Sequence, residues 1–316
     1  MGRKQKYYNE YPTPGRGPRD MLRWQLGRGP VETPLVDPAR LPPYQPQSVN
    51  PGNLAQPPPD KIQVTWIGHS SFLIQVSGRN LLTDPIFGNC QPIPVARLRR
   101  LAPPGIPFEA LPPIHDVLIS HNHYDHLDAP TIRRLGDEPH YWLPSGLAPW
   151  FQQRDLWRCR EVPWWRTMPL AAGWELTAVP AQHFAARSFY DRDRTHWCGW
   201  VLRRGRQSIY FAGDTGYCPA FRQIGEKFGG FDLAIIPIGA YRPRWIMQPI
   251  HVDPNEAVQI HLDVRSRQSV ASHWGTFRLT DEPPGEPPVA LRQAMQQRNL
   301  PPEQFRALRF GETLVV

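Results

Sequence analysis

Cysteine is scarce in this chain and poorly spaced for chemistry. The four residues, Cys90, Cys159, Cys198 and Cys218, include no C-x-x-C pair, which excludes a cysteine zinc site and a dithiol redox motif. A chain of 316 residues can bury a core without cross-links, so scattered thiols point to a reducing, cytoplasmic setting. No apolar run approaches the roughly 20 residues that a membrane-spanning helix requires. The opening MGRKQKYYNEYP has no apolar segment of the kind a secretory signal needs. Gly2 invites a myristoylation reading, but Lys6 stands where that motif takes Ser or Thr. Short-period repeats are missing. So are glycine-rich or aromatic RNA-binding motifs, and no nucleic-acid partner is expected. These absences describe a soluble protein, at most peripherally associated with a membrane.

Acidic residues are in the minority. Against 36 Lys+Arg stand 28 Asp+Glu, leaving a formal charge of +8 that suits phosphates or phospholipid surfaces without demanding them. Proline is in excess, with 39 Pro beside 24 Gly, so much of the chain must be loop or extended backbone. Residues 1–60 read as an extended Pro/Gly/Arg-rich arm lying across a domain, with Met21–Leu26 the one segment able to pack as a helix. Residues 61–316 read as a single domain.

Within that domain, Ile62, Val64 and Trp66 alternate with polar neighbours, Phe72–Val76 follows, and Ser77–Asn80 reads as a turn before Leu81–Thr83. Further apolar strands are expected at Asp116–Ser120, Leu176–Val179, Ser208–Ala212, Leu233–Ile238 and Ser269–Ser272. Helices are expected at Ala129–Leu135, Gly146–Arg154, Tyr217–Lys227, Asn255–Leu262 and Pro288–Gln297. Asp253-Pro254-Asn255-Glu256 has the cap, early proline and acidic first turn of a helix start. Interleaved strands and helices give an α/β or α+β class.

The strongest chemical signal follows the Asp116–Ser120 strand: His121, His123, Asp125, His126 and Asp128 crowd into one loop. Alternate side chains leaving a strand share a side, so His121 and His123 can face one ion, while Asp125 and His126 can reach a second beside it. Imidazole and carboxylate oxygen are the ligands of catalytic zinc. Three later strands each end in one metal-capable residue: His183, Asp214 and His273. Several strands delivering ligands to one edge is how a rigid scaffold preorganises a site.

The order His-x-His-x-Asp-His, then His, Asp and His, resembles the metallo-β-lactamase superfamily. Within it the chain most resembles the N-acyl-phosphatidylethanolamine-hydrolysing phospholipase D branch, over Thr65–His69, Leu82–Phe87, Ser120–Asp128, Phe211–Tyr217, His251–Pro254 and His273–Thr276, of which Asp84–Phe87 and His273–Thr276 point to that branch. Many superfamily members carry glycine where this chain has Asp128, which separates it from the glyoxalase and lactamase branches. The resemblance implies an αββα sandwich of two mixed β-sheets flanked by helices, and a centre of two Zn2+, whose ligands Mn2+ or Fe could also use. It assigns His121, His123 and His183 to one ion, Asp125, His126 and His273 to the other, and Asp214 to both. The implied reaction is attack of an activated water on the phosphorus of a phospholipid, releasing N-acylethanolamine and phosphatidic acid. Asp214 and His251 are then the catalytic residues, with His251 beside the leaving oxygen or capping the following helix. His69 and Asp84 are expected to orient ligands rather than react. A same-fold hydrolase of nucleotide or nucleic-acid diesters, or of a sugar-phosphate lactone, is the alternative. A non-catalytic scaffold would have shed ligands that this chain keeps.

Two substrate-side expectations complete the reading. Trp150, Trp157, Trp164 and Trp165 lie among arginines, and core filling is favoured over a lipid-facing role. Arg97, Arg99 and Arg100 form a basic loop that could attract phosphate headgroups. A homodimer and a peripheral membrane contact are left open.

Overall fold

The computed structural model of the chain describes residues 5–12, 17–50, 54–58, 60–90, 98–188 and 190–316. Arg97 of the basic loop lies outside them. After helix α1 (Pro18–Gln25) come β1 (Ile62–Gly68), β2 (Ser71–Val76), β3 (Arg79–Thr83), β4 (Asp116–Leu118), α2 (Ala129–Leu135), β5 (His140–Leu143), α3 (Ala148–Gln152) and β6 (Cys159–Glu161). The second half runs β7 (Thr167–Pro169), β8 (Glu175–Val179), β9 (Gly199–Arg204), β10 (Gln207–Phe211), α4 (Ala220–Phe228), β11 (Phe231–Pro237) and α5 (Arg244–Met247). It closes with α6 (Pro254–Asp263), β12 (Ser266–Ser272), α7 (Glu286–Gln297), β13 (Phe305–Arg306) and β14 (Thr313–Val315).

The strands make two seven-stranded sheets, ordered β14-β1-β2-β3-β4-β5-β6 and β13-β12-β11-β10-β9-β8-β7. Both are mixed. In the first, β14, β1, β2 and β3 pair antiparallel and β3 to β6 parallel. In the second, β7 to β10 pair antiparallel and β10 to β13 parallel. Helices make the crossovers of the parallel halves except between β3 and β4, where the only described element is the 3-10 turn Phe108–Ala110.

Side-chain alternation sorts the core into layers. Ile62, Val64, Trp66, Phe72 and Ile74 of the first sheet meet Leu176, Trp200, Leu202, Phe211 and Ile235 of the second in one buried cluster. The opposite face of the first sheet, Leu73, Leu82, Val117 and Tyr141, packs on Ile132 of α2 and Phe151 of α3. Tyr210, Ala234 and Ile236 of the second sheet pack on Phe221 of α4, Val258 of α6 and Leu291 of α7. Helix, sheet, sheet, helix is the expected αββα sandwich. Strands buried on both faces explain why the sequence shows runs such as Leu233–Ile238 instead of clean alternation.

Local signals set the boundaries. Asp128 accepts from the Thr131 N–H to start α2, and Gly136, at φ 65°, ends it, so Ala129–Leu135 is the helix expected. Asp253 and Glu256 form a reciprocal capping box at the start of α6. Elsewhere the expected limits move. Arg79 and Asn80 already belong to β3, so the hairpin turn is only Ser77-Gly78. Helix α3 is the short Ala148–Gln152, and α4 begins only after Pro219. Of the four tryptophans, Trp150, Trp164 and Trp165 are half-buried against the core clusters, whereas Trp157 is 63% exposed.

Candidate metal centre

Every residue of the site follows the end of a strand or sits in a loop at one edge of the sandwich. The loop from β4 to α2 supplies His121, His123, Asp125 and His126. His183 follows β8, Asp214 follows β10, and His273 follows β12. The turn between β1 and β2 adds His69, the end of β3 adds Asp84, and the α5–α6 connection adds His251.

These residues converge as two sets around one carboxylate. His123 Nδ1 lies 2.8 Å from His121 Nε2 and 3.2 Å from His183 Nε2. In the second set, Asp125 Oδ2 lies 3.3 Å from both His126 Nε2 and His273 Nε2, and 2.9 Å from His69 Nε2. Asp214 Oδ2 stands between them, 3.0 Å from His273 Nε2, 3.1 Å from His126 Nε2, 3.9 Å from His183 Nε2 and 4.0 Å from His121 Nε2. His251 Nδ1 approaches the same oxygen at 3.9 Å.

Partners on the outer side hold the rings. Asp84 Oδ2 is 2.7 Å from His126 Nδ1, and the same carboxylate accepts from the Ser120 backbone N–H and hydroxyl. Ser120 Oγ is 2.9 Å from His121 Nδ1, and the Ile250 carbonyl is 2.9 Å from His183 Nδ1. With the outer nitrogens engaged, the inner Nε2 atoms of these rings are free to present lone pairs to a cation. The backbone is strained to achieve this. His69, Asp84 and His273 have φ of 55°, 34° and 60°, each a left-handed conformation costing about 1–3 kcal/mol. Hydrogen bonds impose it: the His69 N–H donates to Thr276 Oγ1 and the His273 N–H to the His69 carbonyl. Gly213, at φ 62°, precedes Asp214, and a Cβ there would come within 2.7 Å of Ser120 Cβ.

Electrostatics follow from burial and crowding. Burial, reinforced by neighbouring imidazoles, lowers His69 and His123 to about 3. Burial lowers His183 to about 4 against the pull of Asp214. His273 goes the other way, to about 9, because Asp214 and Asp125 outweigh its burial. Burial would raise Asp214, yet His126 and His273 hold it well below the usual carboxylate range.

The fit to metal ions can be tested on the donor set itself. His126 Nε2, His273 Nε2, Asp214 Oδ1 and His251 Nδ1 are buried without a hydrogen-bond partner, a costly state for polar atoms. Imidazole nitrogens facing one another at hydrogen-bond range, around shared carboxylates, form groupings able to hold cations. The residues fit a pair of divalent ions.

Several contributors have no signature in the sequence. Arg187 Nη1 donates to the carbonyls of Asn122 at 2.8 Å and Leu127 at 2.7 Å, pinning both ends of the His121–His126 loop. Its guanidinium lies 4.1 Å from the Tyr124 ring centre. Arg244 Nη1 donates to the His251 carbonyl and Nη2 to Glu256. Asp128 is engaged as the cap of α2, accepting from the Thr131 N–H and hydroxyl. Arg100 spends its Nε and Nη1 on the Ala102 and Ile86 carbonyls, which argues for a structural role rather than headgroup capture.

A cavity of about 630 Å³ opens onto the centre, with His123, Asp125, His183, Asp214, His251 and His273 reaching it. The rest of its lining is largely apolar and comes partly from the arm: Met21 and Trp24 stand with Phe184, Ile246 and Met247, and Arg192 and Asp193 also face it.

The pattern that defines the Beta-lactamase superfamily domain matches residues 79–274. The chain belongs to the metallo-β-lactamase superfamily. Among superfamily relatives it is similar to N-acyl-phosphatidylethanolamine-hydrolyzing phospholipase D 1 of Caenorhabditis elegans, at 36% identity over 78% of this chain and 74% of that protein. It is also similar to the mitochondrial N-acyl-phosphatidylethanolamine-hydrolyzing phospholipase D of Saccharomyces cerevisiae, at 32% identity over 69% of this chain, and spans about half (48%) of that protein. Igni18, a metallo hydrolase from Ignicoccus hospitalis, shares the fold with a TM-score of 0.63 and 22% identity, over 81% of this chain and 98% of its own.

Proposed function

We propose that this superfamily member is a binuclear metal-dependent phosphodiesterase of the phospholipase D type, cleaving N-acyl-phosphatidylethanolamine-like lipids to N-acylethanolamine and phosphatidic acid. The coarser class, a metal-dependent hydrolase of the metallo-β-lactamase fold, follows from family membership. The observation that carries the finer reading is the union of a buried His/Asp cluster with a largely apolar cavity that opens onto it. The named activity of the nematode and yeast relatives supports it.

In this reading His121, His123 and His183 would hold one zinc and Asp125, His126 and His273 the other, with Asp214 available to both sets. When bound, the pair lowers the pKa of a water toward neutrality and offsets the charge that builds on the phosphoryl oxygens. The protein's own groups do the rest. Asp84 and Ser120 hold His126 and His121 in one orientation, and His69 keeps the Asp125 carboxylate turned inward. His251 is half-buried, unpartnered at Nδ1 and lines the cavity, so it is placed to hydrogen-bond the leaving oxygen. Met21, Trp24 and Ile246 shield an acyl chain from water and leave the phosphate at the polar floor.

The test is mass spectrometry of products after zinc-loaded protein meets a mixed phospholipid panel containing N-acyl-phosphatidylethanolamine. N-acylethanolamine and phosphatidic acid should appear together, vanish with a chelator and return with zinc. Protein that holds two metal equivalents but cleaves no lipid would sink the lipid assignment and move the search to nucleotide diesters and lactones.

A further inference from the structure

Among its contacts with the domain, the arm reaches three places that lead to histidines of the site. At the first, the Asn9 side chain brackets the His183 peptide: Nδ2–H donates to the His183 carbonyl at 2.9 Å, and Oδ1 accepts from the His183 N–H at 3.1 Å. Oδ1 also accepts from the Trp197 indole at 2.9 Å. Gln182, one residue earlier, donates its side-chain amide to the Tyr11 carbonyl, and the Tyr7 N–H donates to Asp193. At the second, Glu32 accepts from the backbone N–H groups of Arg244 and Trp245, and Arg244 in turn holds the His251 carbonyl. At the third, the Tyr44 hydroxyl donates to the Gly275 carbonyl at 2.7 Å, two residues past His273. Trp24 ties α1 to Asp281 between these points.

We propose that the N-terminal arm is a working part of the active site and that Asn9 is a positioning residue for His183. His183 leaves β8 on loop backbone, whose own donor and acceptor find no strand partner. Asn9 supplies both, in a planar, two-point geometry that sets where the imidazole points. The ring is then oriented from two directions, by Asn9 through the peptide and by the Ile250 carbonyl at Nδ1. Removing the bracket frees the peptide to rotate and misdirects Nε2 away from His121 and His123. Changes in such outer partners typically cost 10–100-fold in metal affinity.

The inference rests on the metal reading of the site, and its test reads the metal directly rather than lipid turnover. Full-length wild type, Asn9→Ala and Asn9→Asp are stripped, loaded with cobalt(II), and followed by the visible ligand-field band during titration with a competing chelator. Leu22→Ser, at a position 56% exposed on α1, serves as the control. Asn9→Ala should release one of the two cobalt equivalents about 10–100-fold more readily, with an altered band. Asn9→Asp keeps the acceptor and loses the donor, so it should fall between the two, and it carries the test alone if the alanine variant does not fold. Leu22→Ser should match wild type. Folded Asn9 variants with wild-type band and affinity would overturn the proposal. A wild type that binds two cobalt ions yet cleaves no phospholipid would sink the lipid function and leave this result standing; a wild type that binds none would remove the metal reading and this inference with it.

Discussion

Asp214 is the residue on which the two ligand sets depend, because one of its oxygens lies within about 4 Å of an imidazole from each strand end that contributes one. Asp214→Asn keeps the shape and removes the charge that would offset the proposed cations. Metal content measured by mass spectrometry and turnover should fall together, turnover by about 10³-fold or more; near-normal activity would refute the assignment. Arg187 makes a different kind of contribution. Arg187→Met should leave the Asn122 and Leu127 carbonyls without their donor and cost about 1–3 kcal/mol of unfolding free energy in urea at saturating metal. The contrast explains what could be read in advance. The seven proposed ligand residues could be picked out because each follows an apolar strand and has a side chain that zinc takes. Asn9, Arg187 and Glu32 were not, since a hydrogen bond to a backbone N–H or carbonyl far along the chain leaves no periodicity and no motif.

At the scale of elements, helices with a cap and a glycine or proline stop were readable to the residue, as α2 shows. Short edge strands were not. β6 and β7 are three-residue edge strands with little alternation, and β14 exists because β1 recruits it. What fixes β14 is partly the turn before it. Glu312 accepts from Arg306 and from the Arg309 backbone and side chain. Burial opposes ionisation, but these donors win and hold its carboxyl below the usual glutamate value. A depressed folded pKa means that the stabilisation is fully present above the unfolded value and is lost as pH falls through the folded one. Glu312→Gln should therefore destabilise by up to about 1 kcal/mol at pH 7 and be silent near pH 3, as read by urea unfolding at both values. A pH-independent difference would show that the charge is not the cause.

For the molecule as a whole, the buried donors of the centre tie stability to occupancy. Ions that bind the folded chain alone add about 4 kcal/mol at a thousandfold excess over Kd. Chelation should accordingly lower the melting temperature by several degrees in calorimetry, reversibly on adding zinc; an unchanged melting point would argue against binding at the buried cluster. The four-layer architecture was legible from strand and helix order with the histidine pattern. The arm's docking on the late histidines was not, because its proline-rich composition specifies extended chain without saying what it lies against. No helix among the described residues is long and apolar enough to cross a membrane.

The pairing of β1 with β14 also bears on how the protein is made. Gln63, Val64 and Thr65 wait for Val315, Leu314 and Thr313, and Trp66 waits for the stacked ring of Phe310. A ribosome delivers residues from one end at about 5–20 per second, so this rim stays bare for on the order of 10–50 s. During that interval the nascent chain presents an unsatisfied strand to whatever is nearby, and chaperone cover or a slow final closing step is expected of its synthesis.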